Sequence, residues 1–174
     1  HLYARRQRQM CIRDSHRASY DLVKKMRASF WVLAPLLAKK GYAEVSLPGG
    51  CAIGTRPIDI YLEILKEMNI KYSINNGYIV AKSESPIKGI NFKLEKKSVG
   101  CTHFFLMLTC LATGKSKLSN AACEPEVVQL GMLLNKRGAK IKGLGSKKII
   151  IEGVEKLNGI NEIVPSDRIE AGTF

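Results

Sequence analysis

Residues 47–59 read Leu-Pro-Gly-Gly-Cys-Ala-Ile-Gly-Thr-Arg-Pro-Ile-Asp, setting one thiol, Cys51, among Gly49, Gly50 and Gly54, with Arg56 close behind. Glycines let a backbone approach a ligand closely. A helix start at Pro57 would present unpaired N–H groups and the positive end of a dipole, which suits phosphate. Arg56 adds a planar, permanently charged fork at the same place. A cysteine beside an arginine and a helix start has a lowered pKa and reacts as nucleophile or acid. The competing reading, a small buried hydrophobe, fits less well with glycines on both sides, which mark an exposed loop.

The rest of the composition narrows the chemistry. The chain has 174 residues, 45% hydrophobic and 25% charged, enough for a domain with a real core and unlike a disordered chain. Its formal net charge is +13, which suits a polyanionic partner, either nucleic acid or a phosphorylated small molecule, and otherwise a lysine-rich solvated surface. No nucleic-acid recognition motif accompanies the charge, so neither nucleic acid nor membrane is expected as a partner. The five cysteines, Cys11, Cys51, Cys101, Cys110 and Cys123, are odd in number and widely spaced, with no C-x-x-C pair. This excludes a disulfide scaffold and a structural zinc site, so no metal or cofactor is expected, and a reducing, cytoplasmic setting fits best. The longest apolar runs, 30–38 and 104–112, reach about half of the roughly 20 residues a membrane-spanning helix needs.

Elements that would position the loop follow from an internal repeat. Residues 27–30 open one apolar run and residues 100–104 another, and residues 171–174 resemble both. Each run predicts a helix, over 27–40 and 101–113, apolar nearly all round and therefore interior. Short strands follow at 43–47 and 117–119. Second helices begin near Pro57 and Pro125, where proline is tolerated in the first turn. Ile58, Tyr61, Leu62, Leu65 and Met68 would share one face of the first, and Val127, Leu130, Leu133 and Leu134 one face of the second. Each copy closes with two strands, 70–74 with 78–81 and 139–142 with 148–152, through Asn/Gly turns. A further strand is expected at 90–94. The expected fold class is thus α/β, of the α+β kind, in units of about 70 residues over 27–99 and 100–170, with neighbouring copies burying each other's apolar faces. Residues 1–15 lack any period and read as a non-native extension, leaving 16–174 as a partial domain truncated at both ends.

The run MRASFWVLAPLLAKKG at 26–41 leads into LPGGCAIGTRPID at 47–59, and KKSVGCT at 96–102, NAACEPEVV at 120–128 and PSDRIEAGTF at 165–174 follow in order. Over residues 19–174 this resembles the UDP-N-acetylglucosamine 1-carboxyvinyltransferase family of enolpyruvyl transferases. The resemblance implies an inside-out α/β barrel domain built from three βαβαββ units, of which about two are present. It implies transfer of the enolpyruvyl group of phosphoenolpyruvate to the 3-hydroxyl of UDP-N-acetylglucosamine, with release of phosphate, at the start of peptidoglycan precursor synthesis. On that resemblance Cys51 is the reactive cysteine, the acid at the phosphoenolpyruvate methylene and the target of fosfomycin. Arg27, then Arg56, Pro57, Ile58, Asp59 and Ile60, then Lys96, Lys97, Ser98 and Val99 line the nucleotide sugar.

Two positions depart from the family pattern. Cys123 stands where arginine is usual, which implies a weakened ion pair with Glu124 or Glu126. Tyr61 stands where many members carry histidine, which puts one nucleotide-side contact in doubt. The family's lysine–asparagine pair, base aspartate and second phosphate arginine fall outside this chain, so the resemblance implies that the chain is inactive alone. A sister enolpyruvyl transferase acting on shikimate 3-phosphate is the main alternative, and lacks the cysteine loop; a basic nucleic-acid-binding module is the other. The Thr113-Gly114-Lys115-Ser116 run follows a helix and has Thr109 where a phosphate-binding loop needs its first glycine, so it is read as a turn. Phe30, Trp31, Cys101 and Cys110 are read as core.

Overall fold

In the computed structural model, residues 16–23, 27–47, 58–163, 166 and 172 are described. The expected βαβαββ unit occurs twice. The first runs β1 (Arg17–Ala18), α1 (Tyr20–Val23), a 3₁₀ stretch (Arg27–Val32), α2 (Leu33–Lys40), β2 (Tyr42–Ser46), α3 (Asp59–Glu67), β3 (Lys71–Asn75) and β4 (Tyr78–Lys82). The second runs β5 (Asn91–Lys93), α4 (Val99–Thr109), β6 (Lys115–Ser119), α5 (Pro125–Lys136), β7 (Lys140–Lys142) and β8 (Lys148–Glu152).

The two sheets have the same topology, β1-β2-β4-β3 and β5-β6-β8-β7. In each, the first two strands are parallel and the closing hairpin is antiparallel. Alternation sets which face looks inward: in β6 and β8, Ser116, Leu118, Ile149 and Ile151 are buried while Lys115, Lys148 and Ile150 are exposed. The sheets do not close into a barrel over the described residues.

α4 occupies the centre. Eight of its eleven residues are buried, as expected of a helix apolar all round, and it packs against α2, α3, α5 and the second sheet. Its hydroxyls are satisfied locally: Thr102 Oγ1 donates to the Ser98 carbonyl at 2.8 Å and Thr109 Oγ1 to that of Phe105 at 2.7 Å. Thr102 Oγ1 also accepts the Ala122 N–H at 3.1 Å, tying the 120–124 loop to the central helix.

The first apolar run differs from expectation in two ways. It is not one α-helix: residues 27–32 form a 3₁₀ stretch, and α-helix begins only at Leu33. Pro35 explains the break, because it has no N–H for an i→i−4 bond to Trp31 and its ring crowds that carbonyl. Nor is the run wholly interior. Leu33, Ala34 and Leu37 are buried, but Val32, Pro35, Lys39 and Lys40 are exposed. Gly41 ends α2 in the left-handed conformation, its N–H donating to the Leu37 carbonyl, a C-terminal cap that favours glycine.

After β8 the chain folds back over the end of α4. The Gly153 N–H donates to the Gly114 carbonyl and the Val154 N–H to the Cys110 carbonyl, at 2.9 and 3.0 Å. A Cβ on Gly153 would fall inside the carbonyl oxygen of Ala112, whereas one on Gly159 would meet nothing within 4 Å. Gly153→Ala is therefore expected to lower unfolding stability by at least about 2 kcal/mol, because backbone must shift. Gly159→Ala should change it by less than about 0.5 kcal/mol. Urea titration of both variants beside the parent checks this, and equal midpoints would refute the packing described.

Candidate functional site

Three segments meet at the start of α4: the end of the 3₁₀ stretch at Trp31, the first turn of α3 at Tyr61, and the first turn of α4 at Gly100. Trp31 Nε1 donates to the Tyr61 hydroxyl at 3.3 Å, joining the first to the second. A Cβ on Gly100 would overlap that hydroxyl and stand 3.2 Å from the Trp31 ring, so the third lies against both.

Each start has its own local cause. Ser98 is the N-cap of α4: its Oγ accepts the Cys101 N–H at 3.2 Å and its carbonyl accepts the Thr102 N–H at 3.0 Å. This satisfies one of the donors that every helix start leaves unpaired within the helix. At α3 the Ile58 carbonyl accepts the N–H groups of Tyr61 and Leu62, at 2.9 and 3.2 Å. Asp59 lies in the first turn, exposed, where a negative charge suits the helix dipole. Ile60 and Ser98 are half-buried, like Ile58 and Val99, while Lys96 and Lys97 are exposed. What the structure brings together is Trp31, Tyr61 and Gly100; Ile58, Asp59 and Ile60 lead into Tyr61, Lys96, Lys97, Ser98 and Val99 lead into Gly100, and Arg27 stands four residues before Trp31. Cys51, Arg56, Pro57 and the Arg27 side chain lie outside the described residues.

Reading the sequence missed the tie that holds this region together. The sequence reading places Trp31 in the core and Tyr61 on the apolar face of the helix after Pro57 and at a replaced ligand contact, with no link between the two. A buried tyrosine needs a partner for its hydroxyl, and that need is the signal that leads to Trp31, which is half-buried.

Behind the tie sits His103, one turn along α4. It is 6% exposed and edge-on to Trp31, with ring centroids 4.9 Å apart. Neither ring nitrogen has a hydrogen-bond partner among the described residues. Burial pushes its pKa below the ordinary histidine value, against the opposing pull of Glu126. Nearby, Cys123 is half-buried and Glu124 caps α5. One Glu124 carboxylate oxygen, Oε2, is buried without a hydrogen-bond partner among the described residues. Cys101 and Cys110 are buried in the core, and burial pushes the Cys110 thiol up to about 11.

Among the described residues no cluster of histidine, cysteine or acidic side chains could hold a metal ion, and no helix is long and apolar enough to cross a membrane. An apolar groove of about 490 Å³ lies on α5, lined by Leu130, Leu133, Ile160 and Ile163 among others, and holds none of the candidate residues.

The chain resembles known proteins along nearly all its length. Residues 5–174 match the family described as EPSP synthase (3-phosphoshikimate 1-carboxyvinyltransferase). A UDP-N-acetylglucosamine 1-carboxyvinyltransferase of Rhodopseudomonas palustris (strain HaA2) is 52% identical over 157 residues, 90% of this chain and 37% of that protein. One of Bartonella henselae is 55% identical over 157 residues, 90% of this chain and 36% of its own length. The chain thus spans little more than a third of these relatives. Among solved structures, the enolpyruvyl transferase NikO from Streptomyces tendae superposes with a TM-score of 0.69 at 18% identity, covering 83% of this chain and 34% of that one. EPSP synthase from Acinetobacter baumannii gives a TM-score of 0.59 at 22% identity, over 76% of this chain and 30% of that one.

His103 gives the site a measurable pH signature. Its pKa is lowered on folding, so between the folded value and the unfolded value of about 6.5 the unfolded chain holds a proton that the folded chain lacks. Stability contributed by the neutral ring is present above that window and lost as pH falls through it, by up to about 1.4 kcal/mol per pH unit. The stability difference between the parent and His103→Leu, from urea titrations at pH 7.5 and 5.5, should shift against the parent at the lower pH. A difference that does not change with pH would contradict this.

Proposed function

The chain belongs to the EPSP synthase family of enolpyruvyl transferases, residues 5–174 matching it, and on that premise we propose that it is part of an enzyme that moves the enolpyruvyl group of phosphoenolpyruvate to the 3-hydroxyl of UDP-N-acetylglucosamine. The observation that carries the choice of acceptor is relatedness. Proteins named for the nucleotide-sugar reaction are 52–55% identical over 157 residues, whereas the EPSP synthase of Acinetobacter is 22% identical. The Gly-Gly-Cys-Ala-Ile-Gly run around Cys51 supports the same acceptor.

In this reading Cys51 supplies the proton. The sugar 3-hydroxyl gives its proton to a base that the rest of the enzyme supplies and adds to C2 of phosphoenolpyruvate, while the thiol proton goes to the C3 methylene, making a methyl group and leaving a thiolate. The thiolate then takes back a methyl proton as the C2–O bond to phosphate breaks, which restores the thiol and the vinyl ether and releases phosphate. A positioned acid matters because carbon is a slow proton acceptor, and such catalysis contributes about 10²–10⁴-fold. Arg56 faces phosphate. Arg27, the 56–60 stretch and residues 96–99 line the nucleotide sugar, where fixed cations and helix-start N–H groups offset a polyanion. The thiol requires the reduced state that the cytoplasm maintains.

Grafting the matched 157 residues into the Bartonella henselae relative gives a full-length polypeptide to test. Phosphate release from phosphoenolpyruvate should require UDP-N-acetylglucosamine and fall at least about 100-fold in Cys51→Ala. Release supported by shikimate 3-phosphate instead would reverse the assignment. In the same polypeptide fosfomycin should add to Cys51 and leave Cys110 unmodified, since a thiol at about 11 is less than about 0.1% thiolate at pH 7.5; peptide mass mapping reads both positions.

A further inference from the structure

Tyr61 follows directly on residues 58–60 yet is only 5% exposed. Its ring stands edge-on to Phe30 and to Phe104, with centroids 5.4 and 5.2 Å apart. Within that apolar cage its hydroxyl accepts the Trp31 indole N–H at 3.3 Å. The buried Tyr61 hydroxyl would otherwise bear the desolvation cost of burial, while Trp31 is half-buried. Gly100 has no side chain to block the arrangement: a Cβ there would overlap the hydroxyl and press on the indole.

Trp31, Tyr61 and Gly100 come from three different segments, and those segments hold the residues assigned above to the nucleotide sugar. Trp31 lies one turn past Arg27, Tyr61 is next to Ile60, and Gly100 is next to Val99. A shift of any one segment would break the hydrogen bond or close the gap at Gly100. We propose that Tyr61 is a positioning residue for nucleotide-sugar binding: its hydroxyl, tied to Trp31 and seated on Gly100, sets the spacing of the three segments around the ligand. This rests on the reading that those segments hold the nucleotide sugar.

The test uses the grafted full-length polypeptide and two readouts, steady-state kinetics and calorimetric binding of UDP-N-acetylglucosamine. Tyr61→Phe removes the hydroxyl and little else. It should raise KM and Kd for UDP-N-acetylglucosamine about 5- to 10-fold, the range given by loss of one hydrogen bond, while kcat and KM for phosphoenolpyruvate stay within about 2-fold. Trp31→Phe should do the same, and the double variant should be no weaker than Tyr61→Phe alone, because both substitutions break the same hydrogen bond. Tyr61→His should not restore affinity, because the ligand is not the partner of this side chain. A lower melting temperature with unchanged KM and Kd would reduce the tie to packing and overturn the proposal. So would additive losses in the double variant, or full affinity with Tyr61→His. If the parent graft bound no UDP-N-acetylglucosamine, the functional reading would fall and this proposal with it; equal binding by parent and Tyr61→Phe would remove this proposal alone.

Discussion

Burial of α4 is the constraint on which the other elements depend. A helix carrying Phe104, Phe105, Leu106 and Leu108 on successive positions has no polar face to offer water. Each of those side chains gains roughly 1.5–3 kcal/mol when enclosed, and enclosure needs neighbours on every side. α2 and α3 from the first unit, and α5 with the inner face of β6 and β8 from the second, supply them. Neither unit could complete this core alone, since the helix belongs to one and half its partners to the other. The polar atoms that α4 brings inside are matched to that setting: Thr102 and Thr109 bond back to carbonyls one turn earlier, and Thr102 also receives the N–H that holds the 120–124 loop.

This explains which parts of the fold could be read from the sequence. The repeat was legible because each unit must present the same kinds of face to the shared core, and the likeness of residues 27–30 and 100–104 at the head of the two apolar runs records it. Pro125 marked the start of α5 because proline lacks an N–H that a first turn does not use. The 3₁₀ stretch before α2 was not legible from apolar periodicity, which is nearly blind to a change from 3.6 to 3 residues per turn over six positions. Pro35 carried that information, in its missing N–H. The one-sided burial of α2 was also hidden, because an all-apolar run says that burial is possible and leaves open how many neighbours arrive.

The candidate site was legible to a different degree. Residues 58–60 and 96–99 are picked out by resemblance, and the helices they lead into meet at Tyr61 and Gly100. Nothing in their types required it; Ile58 and Val99 would read as ordinary helix-start apolars. What brings them together is long-range, the contact of Tyr61 with Trp31 and with the bare backbone at Gly100, separated by 30 and 39 positions along the chain. Sequence spacing carries such a tie only through the hydroxyl of a buried tyrosine, which must find a partner.

The same geometry relates charge to function. A net charge of +13 does not by itself choose between nucleic acid and a small phosphorylated ligand. Many of the lysines are spread along exposed strand faces, where Lys140 pairs with Glu152 at 2.9 Å and Lys71 with Glu84 at 3.0 Å; exposed pairs of this kind contribute little. The region where helix starts converge is different in kind. Its donors are backbone N–H groups fixed by α3 and α4, so their direction is set before any ligand arrives, and the Ser98 cap consumes only one of them. Fixed backbone dipoles suit a compact anion, because a small ligand gains most from a few preorganised donors and an extended polymer from many mobile charges along a long face.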